Sequence, residues 1–238
     1  MNNQLITLDD RTNSSLTPTE LFNVAWSLNY QAVYHYGRSP WVEHGYAPPA
    51  HVSLLPKGVK PPVGAWNIIL LDTSDVEGAL GYHEDAAGTE IPFSEVFVQT
   101  AREDGVEPSE VASHEMLEML VDPDVNQPRK VLDPTLHQWY IVEVGDPVQG
   151  CGYDVGVPEG RPCGVTVADF AYPLWWKMAQ TRPDLSFRDS VKAPFALAAQ
   201  GYISVAPEAE PENWGQIFGQ DRNELPKWAS RLPRIHGL

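Results

Sequence analysis

Apolar residues recur at helical spacing in two segments of the chain. The first segment begins at Pro18, between the Thr17 and Glu20 of a capping box, and continues to about residue 34. Its apolar positions are Leu21, Ala25, Leu28 and Ala32. The second segment begins at Pro108 and ends at residue 121, because the Asp-Pro pair that follows disfavours further helix. The pattern therefore predicts two helices, one near the N-terminus and one near the middle of the chain.

Short apolar runs, separated by Pro and Gly, predict strands on both sides of the central helix. Before the helix, the strands of one sheet are expected at 51–55, 66–72 and 94–100. After it, we expect a strand at 138–144, a strand within 164–176 that leads into an aromatic turn, and a hairpin within 195–206. The order of elements indicates an α+β fold, with a mixed sheet packed on a buried central helix and a β-rich C-terminal part.

The two ends of the chain differ from the middle. Residues 1–16 are polar and predict an N-terminal arm, and residues 17–220 read as a single domain. Residues 221–238 hold four of the sixteen basic residues and two of the thirty-two acidic residues. This basic tail is typical of a solvated terminus, and its alternative use is to bind an acidic partner or a neighbouring subunit.

The 238 residues carry a net charge of -16, which argues against binding to nucleic acid or to an anionic membrane. The N-terminus has no secretory pattern and no apolar run approaches the roughly 18 residues of a membrane helix, so we expect a protein that is cytoplasmic in the producing cell. Cys151 and Cys163 are the only cysteines, and a cytoplasmic origin favours free thiols over a disulfide between them.

The central helix combines a buried pattern with a charged face. At about 100° per residue, His114, Glu115, Glu118 and Asp122 share one arc of about 100°, and leucine and methionine cover most of the rest. Buried carboxylates need a cation or hydrogen-bond donors, because an unpaired one costs several kcal/mol. The pattern therefore predicts a metal ion from solution, and the alternative is a carboxylate network held by backbone amides and distant arginines.

His114 and Glu118 lie one turn apart, so both side chains can reach one ion, while Glu115 lies beside them where it can act as a base. The pattern His-Glu-x-x-Glu is similar to the zincin signature His-Glu-x-x-His, with a carboxylate in place of the second histidine. One imidazole and several carboxylates suit zinc, and they also suit Mn, Fe or Ca.

The third ligand must come from another segment. Asp122 lies about 9 Å along the helix axis from the midpoint of the pair, so we expect it to orient a ligand rather than to bind the ion. Glu143 is the favoured third ligand and Asp146 is close behind, while His83 and His137 are alternatives. A calcium loop starting at Asp122 is disfavoured, because its sixth position is not glycine and its twelfth is not glutamate.

A family resemblance is found in four stretches of the chain, namely SHEMLEMLVDP, EVGDPV, VADFAYPLWW, and GYISV followed by WGQIFG. Across roughly 66–219 the chain resembles uncharacterised metallopeptidase-like proteins of tailed bacteriophages and prophages. The resemblance implies a zincin-like α+β core, with His114 and Glu118 as ligands, Glu115 as the base, and Glu143 or Asp146 completing the metal site.

Two functions follow as hypotheses. The first is metal-dependent hydrolysis of a peptide or related amide, with Tyr153, Tyr172 or His137 as candidates for stabilising the oxyanion. The second is a non-catalytic virion component of the tail, neck or capsid, in which the metal only stabilises the fold and the termini bind other virion proteins. The expected partners are accordingly a peptide-like substrate or other virion proteins, with possible assembly through the termini.

Overall fold

The computed structural model describes residues 3–74, 78–85, 91–125, 129–156, 165–178 and 183–219. Its larger sheet has five strands, namely β1 (Gln4–Asp10), β2 (Ala50–Leu54), β3 (Trp66–Leu71), β4 (Gly81–Asp85) and β5 (Pro92–Phe97). Their order is β2-β1-β3-β5-β4. All neighbours pair in parallel except β4, which runs antiparallel to β5 at one edge. The mixed sheet agrees with the predicted α+β class.

The N-terminal strand β1 corrects the prediction of a polar arm at residues 1–16. It lies between β2 and β3, and Ile6 and Leu8 are fully buried. The polar Thr7 also lies inside the sheet, where its hydroxyl donates to the Asn67 side chain at 2.8 Å. Polar side chains of this strand thus find hydrogen-bond partners on neighbouring strands. Such partners cannot be predicted from the N-terminal segment alone.

Four α-helices are described, namely α1 (Pro18–Tyr30), α2 (Pro40–Glu43), α3 (Val98–Glu103) and α4 (Pro108–Val121). The predicted capping box of α1 is confirmed, and a π-helical turn at Gln31–His35 continues the helix to its expected end. The strand predicted at 94–100 ends at Phe97, because α3 takes over the chain from there. None of the helices in these ranges is long and apolar enough to cross a membrane.

The C-terminal part is β-rich, as predicted. A four-stranded sheet of order β11-β10-β7-β6 contains β6 (Lys130–Asp133), β7 (Gln138–Ile141), β10 (Tyr202–Pro207) and β11 (Gly215–Phe218), and β8 (Tyr153–Val155) pairs with β9 (Val165–Val167). The strand predicted at 138–144 is shorter than expected. The predicted hairpin at 195–206 is wrong, since β10 pairs with β7 and β11.

Helix α4 has the predicted bounds and the predicted burial. Every residue in it is buried except Glu110, and it packs against β4, β5 and β9. Cys151 is a partly buried free thiol, as expected, whereas Cys163 and the basic tail 221–238 lie outside the described residues. Helix α4 is therefore enclosed by strands from both halves of the chain.

Candidate metal centre

The first half of the site comes from one turn of α4. The Nε2 atom of His114 lies 3.2 Å from Oε1 of Glu118, the contact expected from their four-residue spacing. The two residues are 6% and 4% exposed, so they meet inside the protein rather than on its surface. A buried imidazole and a buried carboxylate are suitable ligands for a divalent cation.

Asp146 completes this ligand group. It begins a short 3-10 turn, Asp146–Val148, and its Oδ1 lies 3.4 Å from Nε2 of His114. Asp146 is 1% exposed, and the groups that act on its carboxylate are other ionisable side chains, namely Glu118, His114, Glu143 and Tyr202. A buried carboxylate is costly unless a cation compensates it. His114, Glu118 and Asp146 thus form a three-residue group that could hold a metal ion.

The spacing of these atoms is compatible with ligation of a common ion as well as with long hydrogen bonds. Charge-assisted N–H to carboxylate bonds are about 2.7–2.9 Å long. Ligand bonds of about 2.0–2.2 Å at tetrahedral angles place ligand atoms roughly 3.3–3.6 Å apart. The observed separations of 3.2 and 3.4 Å around Nε2 of His114 are close to the second range.

A second group adjoins the first through Glu118. His83, on the edge strand β4, is 8% exposed, and its Nδ1 lies 3.5 Å from Oε2 of Glu115 and 3.7 Å from Oε2 of Glu118. His83, Glu115 and Glu118 form the other three-residue group that could hold a metal ion. One of the two alternative histidines from the sequence thus lies at the site.

Glu143, the favoured third ligand, belongs to neither group. The residue as a whole is partly exposed, but its carboxyl group lies inside the protein. Burial of this group, together with the charges of Asp146 and Glu118, raises its pKa well above the ordinary value. Asp122 also lies outside both groups, and its Oδ1 accepts a hydrogen bond from the backbone N–H of Arg129 at 2.8 Å. Asp122 therefore fixes the chain that leaves α4.

Basic side chains do not neutralise the site. In the described ranges, no Lys or Arg forms an ion pair with Glu115, Glu118 or Asp146, whose charged partners are the two histidines. The alternative of carboxylates held by backbone amides and distant arginines is thus supported in part. Backbone N–H groups donate to Glu118 and Asp122, whereas no arginine among the described residues pairs with the acids of the two groups.

Of the three candidates for oxyanion stabilisation, Tyr153 and His137 form contacts with residues outside the two metal-binding groups. The Tyr153 hydroxyl lies 2.7 Å from Nδ1 of His35 and accepts from the Gln31 side chain, and His137 pairs with Glu208 on the surface. Tyr172 packs edge-on against a neighbouring aromatic ring. A residue that the sequence did not suggest, Tyr202 of β10, is instead beside the site: burial and then the charges of Asp146 and Glu118 raise its pKa strongly.

The opposite face of α4 is fixed by a buried hydrogen-bond network. The Ser113 hydroxyl donates to Oε1 of Gln31 at 2.7 Å and accepts from the backbone N–H of Ala168 at 2.9 Å. The Gln31 side chain in turn donates to the Ala168 carbonyl at 2.8 Å. Because Ser113 precedes His114, this network fixes the rotation of the helix and hence the direction of the ligands.

Gly145 allows the loop to approach the helix. Its backbone N–H donates to Oε1 of Glu118 at 3.2 Å, and a Cβ atom at this position would lie 2.5 Å from Nδ1 of His114. We expect Gly145→Ala to push the His114 ring out of place and to weaken zinc binding about tenfold or more, measured by competition with a fluorescent zinc chelator. Gly156→Ala is the matched control, since a Cβ there meets nothing within 4 Å. Equal affinities for the two variants would contradict the role assigned to Gly145.

Protons would compete with a metal ion for the side chains of this group. Burial and the charge of Glu118 raise the pKa of Asp146 to about 6. Burial alone would lower the pKa of His114, but the charge of Glu118 and the contact with Asp146 raise it well above 6.5. Both groups therefore bind protons more tightly in the folded chain than in the unfolded chain. Protonation consequently stabilises the ion-free fold as the pH falls from about 7 toward 5.

The opposite holds for the metal-bound form, because ligands must lose their protons to bind the ion. We therefore expect the difference in melting temperature between zinc-loaded and chelated protein to be largest near pH 7.5 and to shrink toward pH 5, measured by differential scanning fluorimetry. A difference that grows as the pH falls would contradict this assignment of ligands.

Comparison of the chain with family models, with curated proteins and with solved structures finds no match to any of the three.

Proposed function

We propose that the protein is a metal-dependent hydrolase of peptide or related amide bonds, whose ion is held by His114, Glu118 and Asp146. The observation that carries the proposal is the buried group itself: one ligand atom from each of His114, Glu118 and Asp146 lies within 4.8 Å of the other two. The His-Glu-x-x-Glu helix packed on a mixed sheet supports a zincin-like core.

The donor set favours zinc and leaves a position open for chemistry. One imidazole and two carboxylates supply three protein ligands, the number found in catalytic zinc sites, where a fourth position is left for water or substrate. A divalent ion held by His114, Glu118 and Asp146 would supply Lewis acidity, which would make a nearby water more acidic and polarise the carbonyl of a bound amide. Mn and Fe suit the same donors, whereas the histidine makes Ca a poorer match.

Glu115 is the proton acceptor in this proposal. It follows His114 on the same face of α4, is 8% exposed, and belongs to none of the three ligand positions of the ion. Its carboxylate can take the proton of the attacking water and deliver it to the leaving amine, the usual task of a general base that later acts as an acid. Tyr202, whose buried hydroxyl interacts with Asp146, is the candidate for stabilising the carbonyl oxygen of a bound substrate.

The alternative of a non-catalytic phage virion component has less support in the described chain. It relies on arms at both ends of the chain that bind neighbours, but Gln4–Asp10 forms a strand inside the larger sheet, between β2 and β3. The basic tail 221–238 lies outside the described residues. Among the described features, the metal groups are therefore the ones that bear on function.

The test begins with protein purified without chelator. Metal analysis is expected to find at least one equivalent of a transition metal, and a library of quenched fluorescent peptides is expected to be cleaved. Cleavage should stop on addition of a chelator and return when zinc is added. Less than a tenth of an equivalent of any transition metal, even after incubation with zinc, would rule out the proposal. Bound metal without cleavage of any peptide would favour the structural alternative.

A further inference from the structure

We propose that His83, Glu115 and Glu118 form a second divalent-cation site, which shares Glu118 with the first and makes the centre dinuclear. The inference rests on the proposed function only in that both sites use Glu118. The six ligand positions of such a centre come from three parts of the chain: the edge strand β4, the helix α4 and the turn at Asp146.

The two carboxylate oxygens of Glu118 face different partners. Oε1 lies 3.2 Å from Nε2 of His114, whereas Oε2 lies 3.7 Å from Nδ1 of His83. A carboxylate in this orientation can bind one ion through each oxygen. Ions in two-metal hydrolytic sites are about 3.5–4 Å apart, which is the separation that a shared carboxylate allows.

The contacts of His83 are too long for good hydrogen bonds. Its Nδ1 lies 3.5 Å from Oε2 of Glu115 and 3.7 Å from Oε2 of Glu118, whereas charge-assisted hydrogen bonds are about 2.7–2.9 Å long. A ring that is 8% exposed and approaches two carboxylates at such distances has the arrangement of a metal ligand. Gly81, also on β4, provides room for this arrangement, because a Cβ atom there would lie 3.1 Å from Cγ of Glu115.

The charge of the centre also favours a second cation. Five carboxyl groups lie on or beside it, namely Glu115, Glu118, Asp122, Glu143 and Asp146. Negative charge gathered in a buried site is costly without cations, so a site with this many carboxyl groups can accommodate a second ion.

The second ion has a consequence for the proposed chemistry. Its ligand set includes Oε2 of Glu115, the residue assigned to accept a proton. An oxygen bound to a cation is a weaker base, so the second ion is expected to inhibit hydrolysis when free metal is in excess. The second site would then make activity depend on the concentration of free metal.

The stoichiometry of zinc binding tests the proposal without an assay of activity. Protein stripped with chelator is titrated with zinc, and bound metal is measured after equilibrium dialysis. We expect two equivalents for the wild type, one equivalent for His83→Ala, and two for His137→Ala, the matched control whose side chain is 77% exposed. Two equivalents in both variants, or one equivalent in the wild type, would overturn the second site.

The failures of the two proposals are distinguishable. No bound zinc in the wild type would overturn both sites, whereas one equivalent that is lost in His114→Ala and kept in His83→Ala would overturn only the second.

A measurement on the wild type alone avoids any folding defect of the variants. With two equivalents of Mn²⁺, the electron paramagnetic resonance spectrum is expected to show a magnetically coupled pair, and a spectrum of isolated ions would overturn the proposal.

Discussion

Removal of the ion is expected to lower the melting temperature of this protein by roughly 8–16 °C at neutral pH. Ligand at about a thousand times its dissociation constant stabilises a fold by about 4 kcal/mol. In a domain of this size, each kcal/mol corresponds to about 2–4 °C. The physical reason is that, in the chelated protein, only the two histidines are left to offset the charge of the buried carboxylates Glu115, Glu118 and Asp146. Thermal unfolding with and without chelator, followed by circular dichroism, gives the measurement.

The control for this experiment is a variant that lacks the first ligand of the site, His114. His114→Ala should melt at a lower temperature than the wild type in the presence of zinc, and chelator should change its melting temperature little. His137→Ala should respond to chelator as the wild type does, since His137 lies on the surface and pairs with Glu208. A wild-type melting temperature that does not change with chelator would show that no ion stabilises the fold.

Replacement of Glu115 by Gln is expected to reduce hydrolysis by about 10²–10⁴-fold, the usual contribution of a general base. The variant keeps the shape of the side chain and removes its ability to accept a proton. The ion of the first site should remain, because His114, Glu118 and Asp146 are unchanged. The measurement is the rate of cleavage of the best substrate from the peptide library, with one equivalent of zinc and metal content determined on the same sample.

Glu107→Gln is the matched control for this substitution, because it makes the same chemical change at an exposed residue that precedes the same helix. It should cleave the substrate at the wild-type rate. Equal rates for the two variants and the wild type would remove Glu115 from the mechanism. Loss of metal from Glu115→Gln at one equivalent would instead mean that Glu115 binds the ion of highest affinity.

The sequence predicted the central helix and its metal-binding face because the signals for both are local. Pro108 marks the start of α4, the Asp-Pro pair marks its end, and the four-residue spacing of His114 and Glu118 is sufficient to bring them together. No partner segment is needed for these inferences. The mixed α and β composition followed in the same way from the lengths of apolar runs and the turns between them.

The other members of the site depend on contacts between distant segments. Glu143 and Asp146 are three residues apart, and only the 3-10 turn after Gly145 decides that Asp146 reaches His114. His83 reaches α4 because β4 pairs antiparallel with β5 at the edge of the sheet. Pairing between strands is set by the whole sheet, so a reading of single segments could offer these residues only as alternatives.

The network of Ser113, Gln31 and Ala168 divides the centre into a rigid part and an adjustable part. Ligands on α4 keep a constant spacing, because the back of the helix is anchored to two other segments. Asp146 stands on a short turn with a proline and a glycine beside it, so its distance from the helix depends on this turn and not on the spacing within α4. A change in preference between smaller and larger cations would therefore arise from substitutions around residues 145–148, while the helix stays the same.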